Sequence, residues 1–203
     1  MSKKIILGVV GGVILLVLIF GGMVTGTYNS LVGLDQATQA QWAQVQNVYQ
    51  RRADLVPNLV ETVKGAANFE QGTLTAVTEA RARVGQISSG AIANIANDPA
   101  AFQRFQQAQD GLSSALSRLM VVSEAYPELR ATQNFRDLQA QLEGTENRIT
   151  VERMRFNESA QAFNTRRQTF PTVLIAGFFG DQFRTKEYFQ AVAGAERAPE
   201  VKF

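Results

Sequence analysis

The sequence predicts an all-α protein: an N-terminal single transmembrane helix followed by an elongated up-down four-helix bundle of coiled-coil type. Three observations carry that prediction. Lys3 and Lys4 precede an uncharged run from Ile5 to Leu34. Its apolar part, Ile5 to about Val24, supplies the roughly 20 residues that a helix needs to cross a bilayer. Beyond it Gln, Ala, Glu, Arg and Leu are plentiful, and no strong period-two segment flanked by hairpin dipeptides appears. Finally, Phe135, Leu142, Ile149, Phe156, Phe163 and Phe170 recur every seven residues. A sustained heptad of that kind marks a buried seam.

The anchor reads as uncleaved, because no Ala-x-Ala-like site follows in the segment FGGMVTGTYNS. Both early lysines lie before it and the next basic residue is Arg51, so the positive-inside rule leaves the N-terminus in the cytoplasm and exports the rest. The expected arrangement is a single-pass membrane protein with the bundle on the side of the membrane away from the cytoplasm. Gly8 and Gly12, and again Gly22 and Gly26, are small-xxx-small pairs and hence candidate packing positions between anchors.

After the anchor, a first long helix is expected from about Tyr28 to Asn68. Leu31, Leu34, Trp42, Val45, Tyr49, Val56, Leu59, Val63 and Ala66 approximate the three-and-four spacing of a buried stripe. Pro57 interrupts it, and an interior proline predicts a kink near residues 53–57. A second helix from Gln71 to about Ile87 carries Leu74, Val77, Ala80 or Arg81 and Val84, then fades into Ser88-Ser89-Gly90, with loop to Asn97. Asp98 before Pro99 is a start signal, since Asp caps free amides and Pro is tolerated at the first helical position. The third helix then carries Phe102, Phe105, Leu112, Leu116 and Leu119 and stops at Tyr126-Pro127. The fourth is the heptad helix, ending at Pro171. At 1.5 Å per residue the first and fourth reach roughly 55–60 Å, and the other two are shorter. The expected organisation is 1–27 tip and anchor, 28–170 bundle, 171–193 aromatic membrane-proximal segment and 194–203 disordered tail.

Up-down parity brings Phe170 back towards the membrane. Phe170, Phe178, Phe179, Phe183, Tyr188 and Phe189 are therefore the candidate interaction surface. They either meet lipid or a neighbouring subunit, or pack along the base of the bundle.

The chain has no Cys and no His. It can form no disulfide framework, Cys/His zinc site, Cys nucleophile or Ser-His-Asp triad of its own. Twenty basic against 18 acidic residues leave a net charge of +2, too balanced to point to nucleic acid. Asp54, Asn58 and Glu61 share one face of the first helix, with Arg51 and Lys64 beside them. A di-iron carboxylate bundle would need Glu-x-x-His motifs, which the chain cannot supply. No catalytic residue, metal ligand or cofactor is predicted. Instead Arg51, Asp54, Asn58, Glu61 and Lys64, with Glu146, Asn147, Asn157 and Asn164 of the fourth helix, form a candidate interhelical polar network that fixes register. Asn157 and Asn164 follow Phe156 and Phe163 directly and border the buried seam, where amides must find partners.

Several segments also resemble the LemA family of bacterial membrane proteins. They are Arg51-Arg52 followed by Asp54-Leu55-Val56-Pro57-Asn58-Leu59-Val60-Glu61-Thr62-Val63-Lys64, Tyr28-Asn29-Ser30-Leu31-Val32, Glu124-Ala125-Tyr126-Pro127-Glu128-Leu129-Arg130-Ala131, and Thr145-Glu146-Asn147-Arg148-Ile149. The pairs Phe156-Asn157, Phe163-Asn164 and Phe170-Pro171 fit as well, and the resemblance spans about residues 1–190. Phe156 stands where the family usually has Tyr, and Arg130 where Lys is usual. The missing phenol weakens any mechanism that needs a hydroxyl at position 156. The resemblance implies a single-pass anchor with an elongated helical bundle outside, envelope functions and, in one branch, magnetosome membrane formation. It implies no established enzymatic activity.

The expected function is a membrane-anchored scaffold or assembly protein of the cell envelope, homo-oligomeric, with a possible envelope membrane-protein partner. The alternative is an envelope adaptor or sensor that binds a peptide, small ligand or membrane partner between its helices, with a polar pocket around Asp54, Asn58, Glu61 and Asn147. A third class, a carboxylate-dependent hydrolase, requires a bound divalent ion.

Overall fold

A computed structural model describes residues 3–65, 69–91, 96 and 98–190 of the chain. All regular structure among them is helical. The elements are α1 (Lys3–Lys64), α2 (Gln71–Ala91), α3 (Pro99–Ser123), α4 (Pro127–Ala131), α5 (Gln133–Gln168), α6 (Thr172–Phe178) and a final 3-10 turn, Gly180–Phe183. They divide into two compact units, one of Met1–Gln39 with Ser159–Lys186, the other of Ala40–Glu158 with Glu187–Phe203.

In the first unit the N-terminal part of α1 is long and apolar enough to cross a membrane by length and composition. Its large apolar side chains from Ile6 to Phe20 are 50–77% exposed, with none turned into a core. A separate small core gathers Leu31, Phe163, Ala176 and Phe183, flanked by Tyr28, Val32, Leu34 and Phe179. In the second unit the main core is drawn from α1 (Leu55, Val56, Leu59, Val60, Val63), α2 (Leu74, Val77, Ala80, Val84), α3 (Leu112, Leu116, Leu119), Leu129 of α4 and α5 (Phe135, Leu142), with Phe69.

Several boundaries differ from the sequence reading, each for a local reason. Anchor and first bundle helix are one helix, because nothing between Val24 and Tyr28 breaks it; Thr25 returns its hydroxyl to the Gly21 carbonyl at 2.8 Å. As expected, the helix continues through Pro57, and it ends at Lys64. The proline has no N–H for the carbonyl of Ala53, and that carbonyl accepts a hydrogen bond from Arg81 Nε of α2 at 3.1 Å. α2 runs through Ser88-Ser89-Gly90 to Ala91 instead of stopping at Ile87. Ser and Gly disfavour a helix by only about 0.5–1 kcal/mol each, less than burial of one large side chain returns. Asp98 does cap α3, accepting from the amides of Ala100 at 2.9 Å and Ala101 at 3.1 Å. Pro127 both follows the end of α3 and opens the short α4. The heptad seam is buried at Phe135, Leu142, Ile149, Phe156 and Phe163, but α5 ends at Gln168 and Phe170 lies outside it, 80% exposed. The expected disordered tail, 194–203, and Ala66 of the expected stripe lie outside the described residues.

Candidate functional site

The most elaborate polar arrangement in the second unit is built around a cation that the apolar stripe of α1 carries inward. Arg52 lies three residues after Tyr49 and four before Val56, both buried, and is itself 1% exposed. Its Nη1 donates to Ser113 Oγ at 2.6 Å and to Glu146 Oε2 at 2.9 Å, and its Nη2 donates to Gln109 Oε1 at 2.6 Å. The guanidinium also stands over the Tyr49 ring, 5.1 Å from its centroid. One side chain of α1 thereby joins α3 and α5, in the forked geometry that arginine provides and lysine does not.

Beside it lies a second charged pair. Arg153 of α5 donates from Nε to the Tyr49 hydroxyl at 2.5 Å and from Nη2 to Asp110 Oδ1 at 3.2 Å. Burial is the largest influence on Tyr49 and pushes its phenol up to about 12, against the downward pull of Arg153 and Arg52. For Arg153 burial is again the largest influence and acts downwards, but Tyr49 and Asp110 outweigh it and the net shift is upward. At neutral pH the site therefore holds a neutral phenol and a fixed cation. Such a pair neither takes nor gives a proton near pH 7, so it orients helices but is poorly suited to acid–base chemistry.

Next to this polar layer, Trp42 sits among Phe102, Phe105, Phe156 and Phe189, with ring centroids 5.2–6.0 Å from its own. Phe189 arrives from an extended segment that Asn157 grips reciprocally: Nδ2 donates to the Phe189 carbonyl at 2.9 Å and Oδ1 accepts from its amide at 2.9 Å. The first unit repeats the device. Asn164 Nδ2 donates to the Lys186 carbonyl at 2.9 Å, and Oδ1 accepts from the Lys186 amide at 2.8 Å. The Lys186 ammonium is buried, paired with Asp35 at 2.5 Å and 4.9 Å from the Phe163 ring centroid.

Of the nine residues of the candidate polar network, Glu146, Asn157 and Asn164 make these contacts. Arg51, Asp54, Asn58, Glu61, Lys64 and Asn147 lie on exposed faces. Asp54 accepts from Gln50 and Glu61 pairs with Lys64, both within α1, and Arg51 reaches Gln141 at 3.1 Å. The reason is angular: on the stripe set by Val56, Leu59 and Val63, it is Arg52 that faces inward and its neighbours that face water. Arg52, Gln109, Ser113 and Asp110 were thus missed by a reading that followed charged clusters. The apolar register of Tyr49 and Val56 was the signal that could have found Arg52.

The candidate aromatic surface also separates. Phe183 and Phe189 are buried in their units, Phe179 is half-buried, and Phe170, Phe178 and Tyr188 are exposed. At Gly8, Gly12, Gly22 and Gly26 an added Cβ would meet nothing within 4 Å. Among the described residues of the second unit, grooves include the following pair. One, of about 730 Å³, is lined by Thr62, Tyr126, Leu129 and Thr132 among others; the second, of about 430 Å³, by Val48, Arg51, Gln141 and Arg148 among others. Asp54, Asn58, Glu61 and Asn147 line neither. Among the described residues no group of three or more acidic side chains is placed to hold a metal ion.

Comparison with known proteins matches this architecture to one family. The LemA family model matches residues 41–203. Magnetosome protein MamQ 2 and magnetosome protein MamQ 1 of Paramagnetospirillum magneticum are each 28% identical to the chain over 177 residues, covering 80% of it. Magnetosome protein MamQ of Magnetospirillum gryphiswaldense is 28% identical over 176 residues, again 80% of the chain. The matched region spans 64% of the length of each of these relatives. The chain is an all-α, membrane-associated protein with an apolar N-terminal helix, and it belongs to the LemA family.

Proposed function

We propose that the protein is a membrane-anchored helical scaffold of the bacterial cell envelope that assembles by self-association. The observation that carries this reading is the apolar segment of α1, whose large side chains are exposed on every face although the chain has cores elsewhere. Such a surface is a requirement for lipid. In the proposed arrangement the N-terminus is cytoplasmic, the helical body lies outside the inner membrane, and no catalysis is involved. The contacts of the buried Arg52 and the half-buried Arg153 support a body that holds its helices in fixed register, as an assembly platform needs. The names of the relatives, magnetosome proteins, support a role at a membrane. The small-xxx-small spacing of Gly8 with Gly12 and of Gly22 with Gly26 supports close approach of a second helix.

A second reading, an envelope adaptor or sensor, is supported by the groove beside Tyr126 and Leu129, about 730 Å³ in volume and large enough for a peptide segment. Native mass spectrometry of the full-length protein in mild detergent decides between them. The scaffold predicts a discrete multiple of the 22.3 kDa chain. A monomer, or one copy bound to a different protein, favours the adaptor.

A further inference from the structure

α6 is apolar on both faces. Thr172, Ile175 and Ala176 are buried, whereas on the other side Leu174 is 66% and Phe178 86% exposed. Leu174 and Phe178 are one helical turn apart within α6 and form one apolar outer surface. An apolar patch of this kind on a small unit marks a contact with something other than water.

Its position identifies what that is. α6 and the turn after it are seated on α1 at Tyr28, within the same unit: the Tyr28 ring lies 4.9 Å from Phe179 and 5.6 Å from Phe183, and its hydroxyl accepts from Gln182 Nε2 at 3.0 Å. Tyr28 follows the last residue of the apolar run, Val24, by four positions, or about 6 Å along the helix. The hydrocarbon core is about 30 Å thick and the apolar run fills it, so Tyr28 falls in the headgroup layer. Aromatic rings favour that layer. Whatever touches Tyr28 is held at the same depth, and Phe178 packs edge-on against Phe179 with centroids 5.5 Å apart.

We infer that Leu174 and Phe178 enter the headgroup region of the bilayer that α1 crosses, giving the protein a second, interfacial membrane contact made by α6. The occupant of the patch is lipid. This contact fixes the first unit against the membrane surface instead of leaving it to swing on a single helix. The inference rests on the reading of residues 5–24 as the anchor, and its test separates the two.

Because the chain has no cysteine, each introduced thiol is unique. Nitroxide labels are placed at Leu174→Cys and Phe178→Cys in the full chain, with Leu15→Cys in the apolar run and Glu79→Cys on exposed α2 as references. Each variant is reconstituted at one chain per nanodisc of mixed neutral and anionic phospholipid. Collision with oxygen is compared with collision with a water-soluble nickel chelate. The labels at 174 and 178 are expected to favour oxygen as the Leu15 label does, the inverse of the Glu79 label. If they behave like Glu79 while Leu15 favours oxygen, the inference is overturned and the anchor stands. Protection seen only when two chains share a nanodisc also overturns it and assigns the patch to a second copy. A Leu15 label open to the chelate overturns the anchor reading and the interfacial contact together.

Discussion

Two stretches of α1 differ in how they treat apolar side chains. From Ile6 to Phe20 the large ones are exposed all round the helix. From Trp42 to Val63, Trp42, Val45, Tyr49, Val56, Leu59 and Val63 are buried while Asp54, Asn58, Glu61 and Lys64 face outwards. The backbone is helical in both, so the difference lies in the side chains alone: a ring of apolar residues requires an apolar solvent, and a stripe requires a protein partner. Substitutions in the two stretches should therefore fail in different assays.

The largest effect separates them directly. Leu59→Ala empties a fully buried position of the second core and is expected to destabilise the body by about 2–5 kcal/mol, with membrane extraction unchanged. Leu15→Arg is expected to leave thermal unfolding of the body unchanged while weakening insertion by about 2.5–3.5 kcal/mol. Unfolding monitored by circular dichroism and extraction by alkaline carbonate distinguish them.

A smaller effect tests the polar side of the stripe. Arg52→Ala leaves Gln109 buried without its donor, whereas the half-exposed Glu146 regains water. The expected loss is about 2–3 kcal/mol, short of that for a pair buried on both sides. Arg52→Lys should restore only part of it, since an ammonium cannot fork to Ser113, Glu146 and Gln109 together.

Tyr49 gives a pH signature. Its phenol is raised from 10.0 to about 12, so the folded state keeps a proton that the unfolded state loses first. That contribution is complete below pH 10 and disappears as pH rises towards 12. It amounts to roughly 2–3 kcal/mol at 1.36 kcal/mol per pKa unit. Tyr49→Phe should remove this alkaline loss, as read by denaturant titrations across that range.

The smallest effect is a deliberate contrast. Glu61→Gln removes an ion pair with Lys64 that is exposed on both sides, 71% and 52%, and should shift stability by less than about 0.5 kcal/mol.

How much of this was legible in the sequence depended on the range of the signal. The Asp98-Pro99 start and the inward heptad through Phe163 are local or strictly periodic, and both were readable. Pro57 marks in the sequence a carbonyl, that of Ala53, left without its helical donor, but the group that serves it, Arg81, lies 28 positions away and carries no local signal. Phe170 kept the heptad in sequence after α5 had ended, since period alone does not say where a helix stops. In the site, Asn157 and Asn164 were recognisable as amides beside the seam, but not that they grip the backbone of Phe189 and Lys186. Arg51 and Arg52 are adjacent with identical side chains, and only helical phase decides that the second is buried.

The central claim is that α1 meets lipid in one stretch and its own protein in the other. The most direct measurement is a single-cysteine scan of α1 from residue 6 to residue 63, with one chain per nanodisc and the oxygen and chelate accessibility of each label recorded. Oxygen access is expected on every face from 6 to 24, and beyond residue 40 a three-to-four-residue alternation with minima at Trp42, Val45, Tyr49, Arg52, Val56, Leu59 and Val63. Chelate access between residues 6 and 24, or the same alternation there as in the second stretch, would contradict the claim.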